Sequence, residues 1–463
     1  MKGRPAKIAY GVGNLGTALF FHTIGAYLIF FYTDVVHLDP GLVGLAFAIS
    51  YGVWNAINDP LVGYLSDRTR TRWGRRIPYV LFGVPLVFLF FVLVWSPPLG
   101  GQPLTTPSHL GIFLYFAIVI ALFDLMYTTV SVPYISLFPE MYEELTERTE
   151  VSIYRQVAAM IGSAFALAVT PLIVASLSPR FGSLAGWMGA GAILGLVAGG
   201  AFWISLLGSR ERKEFSTEEA LPLFPAFKAT ITNRSFLAFV GANLMICYIW
   251  SWLSAMVPFF TKYIIGAAEQ EMSLLFFGMF ITSMALYPLW RKVALRLGAK
   301  GTLATAVTLF VTFMLLALVV GNLPQAFVMM LLVGAANSGI TLVREILLSD
   351  VIDEDELYTG LRREGSYFGV NAFIERLAMV LVGGSTALVL GLSGYAPGVT
   401  PQPASVVLGL RLGMALLPLA ALAIFLAALR YYPLGKERIL ELRDRLEELH
   451  REKAERHARR SET

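Results

Sequence analysis

Asp59 is the residue of this 463-residue chain whose type and position most clearly suggest chemistry. It lies inside a long apolar stretch, within the run Trp54-Asn55-Ala56-Ile57-Asn58-Asp59-Pro60. If that stretch crosses a bilayer, a central carboxylate costs at least about 2.5 kcal/mol, which makes Asp59 a functional candidate. Asn55 lies one helical turn before Asp59, so oxygens of both could converge on one H+ or Na+. The alternative is a structural carboxylate that bonds a neighbouring helix.

A second aspartate, Asp124, begins a row of oxygen-bearing side chains in another apolar stretch. Thr128 and Ser131 follow it by four and seven residues, which places all three on one helical face. Hard cations prefer oxygen ligands of this kind, so the row is a candidate cation site together with Asp59 and Asn55. A polar stripe that only packs two helices together is the alternative.

Four other titratable residues within apolar stretches are candidates for substrate binding. Glu375 and Arg376 are adjacent, so their side chains point about 100° apart on a helix and each should face its own partner. At least one of them should line a central cavity. Arg155 lies near the end of its stretch, where it can snorkel toward water. His22 could bond a substrate or shuttle a proton, although an interhelical hydrogen bond would also explain it.

The elements that carry these residues are predicted to be membrane-spanning helices. Hydrophobic residues make up 56% of the chain and charged residues 15%, with a mean hydropathy of +0.65. Soluble domains carry roughly 25% charged residues. Apolar runs of about 20 residues recur, which is long enough to cross a bilayer as helices with every backbone hydrogen bond satisfied internally. The single cysteine, Cys247, excludes an intrachain disulfide, and the first apolar run is interpreted as a retained span.

Twelve spans are predicted, separated by connections rich in proline, glycine and charge. They lie at about 9–34, 41–65, 78–96, 109–134, 152–177, 185–207, 235–260, 273–291, 301–321, 325–348, 366–392 and 406–429. Basic residues cluster in alternate connections, at 66–78, 208–234, 291–300 and 362–363, against only Arg180 and Lys262 on the other side. Because positive connections face the cytoplasm, both termini are predicted to be cytoplasmic in a plasma-membrane protein.

The predicted fold is an all-α polytopic bundle of the major-facilitator type, with two pseudo-symmetric six-helix halves around a midplane site. The halves are expected at 1–207 and 235–430, joined by a cytoplasmic linker at 208–234. The charged tail at 431–463 is expected to form a solvated cytoplasmic helix. A weak repeat supports the division, because Trp73-Gly74-Arg75-Arg76 after the second span matches Leu297-Gly298-Ala299-Lys300 after the eighth.

Catalytic and metal-binding patterns are absent from the sequence. It contains no nucleophile elbow, no P-loop and no metal-ligand spacing, and its five histidines form no cluster with carboxylates. We therefore expect no enzyme activity, no catalytic residues, no metal and no cofactor. Without an ATP-binding domain in the chain, transport energy should come from an ion gradient or from the gradient of the substrate itself.

Several motifs resemble the glycoside–pentoside–hexuronide:cation symporter family, the melibiose-permease-like branch of the major facilitator superfamily. In the first half they are Tyr32-Thr33-Asp34-Val35-Val36, the run around Asp59, and Asp67-Arg68-Thr69-Arg70-Thr71-Arg72-Trp73-Gly74-Arg75-Arg76. The resemblance resumes at Asp350-Val351-Ile352-Asp353, Thr359-Gly360-Leu361-Arg362-Arg363-Glu364-Gly365 and Tyr432-Pro433-Leu434. These blocks extend from residue 10 to about 435.

The resemblance implies positions for both binding sites. The family's cation ligands correspond to Asn55, Asp59, Thr128 and Ser131, so two of its three carboxylates are replaced. Its sugar-binding residues correspond to Thr17, Ala18, Ser131, Ile135, Arg155 and Arg376. Since the two aspartates that hold a galactoside in that family are missing, the substrate class stays open between sugars and lysophospholipids.

The function predicted from these observations is symport of a small molecule, a sugar or glycoside, with H+ or Na+ by alternating access. The expected partners are that substrate and membrane lipid, with no nucleic acid, and the chain is expected to be a monomer. One alternative is a lipid or lysophospholipid carrier, which the apolar residues Ala18 and Ile135 favour. The other is a membrane sensor that transports nothing, against which the Asp59 motif argues.

A cytoplasmic ion-pair latch is predicted for the state that opens outward. It would join two connections of the pseudo-repeat through Asp67, Arg68, Arg75, Arg76, Arg362, Arg363 and Glu364. The alternative is that these charges only set the topology. Arg344 and Glu345, near the cytoplasmic end of the tenth span, are expected in a gate or in helix packing and not at the central site.

Overall fold

The structure is a computed structural model that describes residues 3–98, 108–142, 145–211, 233–359, 364–397, 399, 401–439, 441, 442 and 445. Long helices make up nearly all of it. The first half contains α1 (Arg4–Phe30), α2 (Pro40–Phe47), α3 (Asn55–Arg68), α4 (Ile77–Val94), α5 (Ser108–Met141), α6 (Leu145–Ala164), α7 (Thr170–Phe181) and α8 (Ser183–Gly208). The second half contains α9 (Arg234–Phe260), α10 (Glu269–Ala285), α11 (Tyr287–Met314), α12 (Leu323–Thr359), α13 (Glu364–Ser393) and α14 (Ala404–Arg430).

Ten helical segments in the described part of the chain are long and apolar enough to cross a membrane. Two further predicted spans fall between them in chain order. One is α2 with α3, which continue each other through the residues 48–54, and the other is α10, which has 17 residues. The helices are therefore consistent with the predicted twelve spans. The linker prediction at 208–234 and the tail prediction at 431–463 fall largely on residues outside the described ranges.

Wider π-helical turns interrupt several spans that the sequence predicts as uniform helices. They occupy Phe31–Val35, Ala48–Trp54, Phe165–Val169 and Thr261–Ile265. Such turns insert an extra residue into the helical repeat and often occur at functional sites. The turn at Ala48–Trp54 ends immediately before Asn55, so it sets the rotation of the helix that carries Asn55 and Asp59.

The connection predicted at 291–300 is instead mostly helical. The backbone leaves the helix at Leu286 and again at Gly298, where φ is 72°. That left-handed conformation is readily adopted by glycine, which has no Cβ to clash. The eighth predicted span is therefore broken at Leu286, a second helical piece extends to Leu297, and the chain turns sharply at Gly298 into the ninth.

Helix contacts between the halves include α1 with α9, α2 with α13 and α7 with α10. The segments α2 and α7 lie next to connections predicted to be extracellular. A Cβ on Gly44 of α2 would lie 2.9 Å from the carbonyl oxygen of Gly383 in α13, so these backbones approach closely. A Cβ on Gly25 would likewise lie 2.6 Å from Met379 Cε. The two halves are packed together at this end.

Candidate functional site

The two halves are joined deep in the bundle by an ion pair between α3 and α13. Arg376 Nη1 donates to Asp59 Oδ2 and to Asn55 Oδ1. On its other side, Asp59 Oδ1 accepts a hydrogen bond of 2.9 Å from Thr128 Oγ1 of α5. The structure thus brings together four residues that the sequence singled out in three separate spans.

Asp124 joins the same network from α5. Its side chain is buried, and Asn55 Nδ2 donates to both of its carboxylate oxygens at 3.0 Å. Asn58 Nδ2 donates to Asp124 Oδ2 at 2.6 Å. Asn55 therefore bridges the two carboxylates, since its amide nitrogen faces Asp124 and its oxygen shares Arg376 with Asp59. Ser131, predicted in the same row, is buried but contributes no hydrogen bond to Asp59 or Asp124 in the described part of the chain.

The network leaves one buried oxygen without a partner, and a small cavity adjoins Asp124 and Arg376. Asn58 Oδ1 accepts no hydrogen bond from any described residue, although Asn58 is fully buried. A cavity of about 10 Å³ lies next to Asp124 and Arg376 and is otherwise lined by the aromatic side chains of Phe21, Phe123 and Tyr127. That volume is about what a single water molecule needs. The site can therefore accept only a very small species.

A second ion pair lies on the neighbouring face of α13. Arg344 Nη2 lies 3.5 Å from Glu375 Oε1, and Asn371 Nδ2 donates to the same carboxylate oxygen at 3.1 Å. Arg344 Nη1 also donates to Cys247 Sγ at 3.6 Å. Glu375 and Arg376 thus face different partners, as their adjacency requires. Arg344 differs from expectation, because its long side chain reaches the middle of α9 instead of remaining at the cytoplasmic end of α12.

The remaining predicted substrate residues lie along the first half. Arg155 Nε donates to Asn14 Oδ1 at 3.2 Å, and its guanidinium lies 4.6 Å from the ring centre of Phe138. Among the described residues Arg155 has no acidic partner. The other four do not share a hydrogen-bond network. Thr17 bonds its own helix and Ala18 is buried. The ring centre of His22 lies 6.4 Å from that of Trp250, and Ile135 is exposed.

Another ion pair between the halves lies where α1 ends. Asp34 accepts hydrogen bonds from Lys262 Nζ, from the Tyr263 hydroxyl and, at 2.7 Å, from the Tyr395 hydroxyl. The Asp34 side chain is 1% exposed and that of Lys262 is 40% exposed. We call these four residues the Asp34 cluster. The cluster lies at the end of the bundle where α2 and α13 also pack together.

Comparisons with known proteins agree with this architecture. Residues 9–436 match the family model described as MFS/sugar transport protein. The chain belongs to this family. It is 24% identical to an isoprimeverose transporter from Lactiplantibacillus pentosus, over 93% of this chain and 88% of that one. It is 23% identical to the sodium-dependent lysophosphatidylcholine symporter 1 of Gallus gallus, over 96% and 90%.

The fold likeness extends to solved structures of transporters. An inward-facing, unoccupied bacterial homologue of the human lysosomal transporter Spinster superposes with a TM-score of 0.66, at 13% identity over 95% of this chain and 99% of that one. Membership of the MFS/sugar transport family confirms the predicted fold class and the resemblance stated from the motifs. The chain is a multi-pass membrane symporter of the major-facilitator type and not an enzyme.

The predicted cytoplasmic latch falls mostly outside what the structure describes. Arg362 and Arg363 lie outside the described residues, and the side chains of Asp67 and Glu364 are not described. Arg76 donates to Ser136 O within the first half. The backbone amides of residues 75–77 all donate to the carboxylate of Glu211, also in the first half. Arg68 forms further contacts of its own. The latch therefore stays a prediction.

Sequence reasoning missed three contributors to these networks. Asn58 was quoted only as part of the Asp59 motif, yet it holds Asp124. Asp34 and Lys262 were noted only as a family motif and as a topological exception, yet they pair across 228 residues. For Asp34 a signal was present, since it is an acidic residue at the end of a span 26 or more residues long that carries no other acid. The described residues contain no group of three His, Cys, Asp or Glu that could hold a metal ion.

Proposed function

We propose that this protein is a cation-coupled symporter that carries a sugar or glycoside across the plasma membrane by alternating access, with both termini in the cytoplasm. The observation that carries the proposal is the Asp59–Arg376 ion pair, because it joins the two halves at the site that the cation would occupy. A carrier of this architecture rocks its halves about a midplane site, so an ion pair across that site links cation binding to the motion.

The charge balance of the site supports cation coupling. Asp59 and Asp124 contribute two carboxylates and Arg376 one guanidinium, and Asn55, Asn58 and Thr128 add only neutral groups. The site therefore has a formal charge of −1 when both acids are ionised. Uncompensated charge is costly inside a membrane, so one H+ or Na+ would complete the neutral arrangement. A bound cation would attract the two carboxylates and so weaken their attraction to Arg376.

The packing at the predicted extracellular end supports alternating access. The Asp34 cluster and the close approach of Gly44 to Gly383 hold the halves together there. Opening that end would separate Asp34 from Lys262 and both tyrosines. The Asp34 cluster is therefore the contact that would break and reform during each cycle. The strength of the Asp59–Arg376 pair would depend on whether the cation is bound.

The substrate assignment rests on polar groups that both halves present. Arg155 and Asn14 in the first half, and the Arg344–Glu375 pair in the second, offer donors and an acceptor suited to sugar hydroxyls. A relative named isoprimeverose transporter supports this class. Lysophospholipid is a second candidate, supported by the exposed Ile135, by Ala18 and by the lysophosphatidylcholine symporter relative. We propose that the protein acts as a monomer without any cofactor other than the coupling ion.

Uptake by purified protein in proteoliposomes tests the proposal. Labelled glycosides, pentosides, hexuronates and lysophosphatidylcholine would be offered under an inward H+ gradient, an inward Na+ gradient or neither. We expect one sugar to accumulate above equilibrium under one of the gradients, and an ionophore that collapses the gradient should abolish the accumulation. Transport of lysophosphatidylcholine without any sugar would replace the sugar assignment with the second candidate. Failure of every compound to move would refute both the sugar and the lysophospholipid assignments.

A further inference from the structure

A groove outside the transport pathway lies between α11 and α14 at the end predicted to be cytoplasmic. Its volume is about 300 Å³. Nine residues line it, namely Leu297, Lys300, Gly301, Ala304, Leu426, Leu429, Arg430, Gly435 and Lys436. Three of them are basic and none is acidic. Lysines and arginines at the cytoplasmic boundary of a membrane protein meet the anionic head groups of the inner leaflet.

The three cations around the groove have no carboxylate partner in the described part of the chain. Lys300 Nζ donates to Tyr432 O at 2.5 Å. Lys436 Nζ donates to Leu295 O at 3.0 Å and to Arg296 O at 3.2 Å, two carbonyls that shortly precede the break at Gly298. Since these acceptors are neutral carbonyls, they do not offset the charge of either lysine. An ammonium group has three donors, so donors remain for a ligand.

Arg430 is the cation with the most binding capacity left. It is the last residue of α14, it is exposed, and no described residue bonds to it. A guanidinium presents five N–H donors in a planar fork that matches the oxygens of a phosphate. Arg430 therefore lines the groove with N–H donors that no described residue occupies.

The backbone around the groove is shaped to bring Lys436 close. At Gly298 the chain adopts a φ of 72°, and a Cβ at this position would lie 3.1 Å from Lys436 Cβ. A larger residue would therefore push the Lys436 segment away. Beside the cations, Leu297 and Leu426 are 51% and 41% exposed. These side chains form an apolar wall that continues into the membrane-facing surface of α14.

We propose that this groove binds the phosphate of an anionic phospholipid from the cytoplasmic leaflet. The three cations would hold the phosphate, and the leucine wall would contact the first part of an acyl chain. Phosphatidylglycerol, with a net negative charge, fits three uncompensated cations better than phosphatidylcholine, which brings a cation of its own. Free phosphate would satisfy the same donors but would gain nothing from the leucines.

Native mass spectrometry of the detergent-purified full chain can test the proposal. Phosphatidylglycerol, phosphatidylcholine and inorganic phosphate would each be titrated against the wild type, Arg430→Glu, Arg430→Lys and Arg291→Glu. Arg291 is a matched control, because it is also exposed and predicted cytoplasmic but does not line the groove. One charge near the membrane surface changes affinity about fivefold, so Arg430→Glu, a change of two charges, should weaken phosphatidylglycerol binding about 25-fold.

The expected result is a preference for phosphatidylglycerol that Arg430→Glu abolishes, whereas Arg291→Glu and Arg430→Lys retain it. Retention by Arg430→Lys shows that position 430 tolerates substitution when its charge is kept. Equal binding of the two lipids by the wild type would overturn the proposal. Equal losses in Arg430→Glu and Arg291→Glu would also overturn it, since general surface charge would then explain the preference. Inorganic phosphate that binds as tightly as phosphatidylglycerol would identify a free-phosphate site instead.

Discussion

Two ion pairs between the halves, both formed by described residues, differ in what surrounds the carboxylate. At the end of the bundle, Asp34 meets one lysine and two tyrosine hydroxyls, which together engage both of its oxygens. In the middle, Asp59 meets Arg376, but Asp124 lies in the same network and adds a second negative charge. The first arrangement is balanced without a ligand, whereas the second lacks one positive charge.

Because of that difference, we assign the Asp34 cluster to closure of its end of the bundle and the Asp59 network to cation coupling. A balanced pair such as Asp34–Lys262 stabilises one arrangement of the halves and needs no ion to do so. The middle network can reach neutrality only when a cation arrives, and it is built across the contact that must change during transport. We therefore expect substitutions in the Asp34 cluster to change how often the end opens, and substitutions around Asp59 to change whether opening depends on a cation.

The largest effect is expected for Arg376→Gln. Removal of the guanidinium would leave two carboxylates close together in the bundle. Breaking a fully buried pair costs about 3–5 kcal/mol, so this partly buried pair, in which the Asp59 side chain is 27% exposed, should lose a part of that. Thermal unfolding in detergent should show a clear fall in stability, and the double variant Asp59→Asn with Arg376→Gln should recover part of it. If Lys262→Gln destabilised the protein equally, the two ion pairs would contribute equally to stability, and the difference proposed between them would be refuted.

Asp59→Asn should have the next largest effect, on transport and not on stability. With one carboxylate gone, Arg376 and Asp124 balance each other and no cation is needed, so gradient-driven accumulation should be lost while substrate exchange continues. Accumulation and counterflow in proteoliposomes measure the two activities separately. Asp34→Asn serves as the matched acidic control and should keep its final accumulation ratio while its rate changes. Unchanged accumulation in Asp59→Asn would refute its role in coupling.

Asp124→Asn tests whether Asp124 supplies the second negative charge, because it leaves the Asp59–Arg376 pair intact. The site would then be neutral without a cation, so we expect uptake to equilibrium with no dependence on H+ or Na+ concentration. Initial uptake rates across a cation titration measure this. Asn58→Ala is the neutral control at the neighbouring position, and it should shift the half-saturating cation concentration without removing the dependence. A normal cation dependence in Asp124→Asn would assign the second charge to another residue.

The smallest effect is expected for Lys262→Gln. Lys262 is partly exposed, so its ion pair should contribute no more than about 1 kcal/mol, equivalent to a roughly fivefold change in the open population. Met379→Cys, placed at the interface beside Gly25 in a Cys247→Ser background, reports opening by its rate of alkylation. We expect Lys262→Gln to raise that rate about fivefold and the control Lys292→Gln to leave it unchanged. No change in Lys262→Gln would show that packing alone closes this end.

The sequence predicted the class of protein and the individual residues of the central site. Charge inside apolar spans is costly, so Asp59, Asp124, Glu375 and Arg376 stand out without any knowledge of their neighbours. Length and hydropathy similarly predict the spans, and the basic connections predict their direction. The prediction of a loop at 291–300 was wrong, because a glycine with positive φ turns the chain more sharply than composition suggests.

Pairing was decided by the tertiary structure alone. Asp59 and Arg376 are 317 residues apart, and Asp34 and Lys262 are 228 apart, so no local pattern links either pair. Arg344 pairs with Glu375 of another helix, because sequence position fixes its Cα but not how far a long side chain reaches. The cost of an isolated charge follows from one residue and its solvent, and the sequence determines it. Which opposite charge neutralises it depends on which helices pack together and how they are rotated, and only the folded bundle decides that.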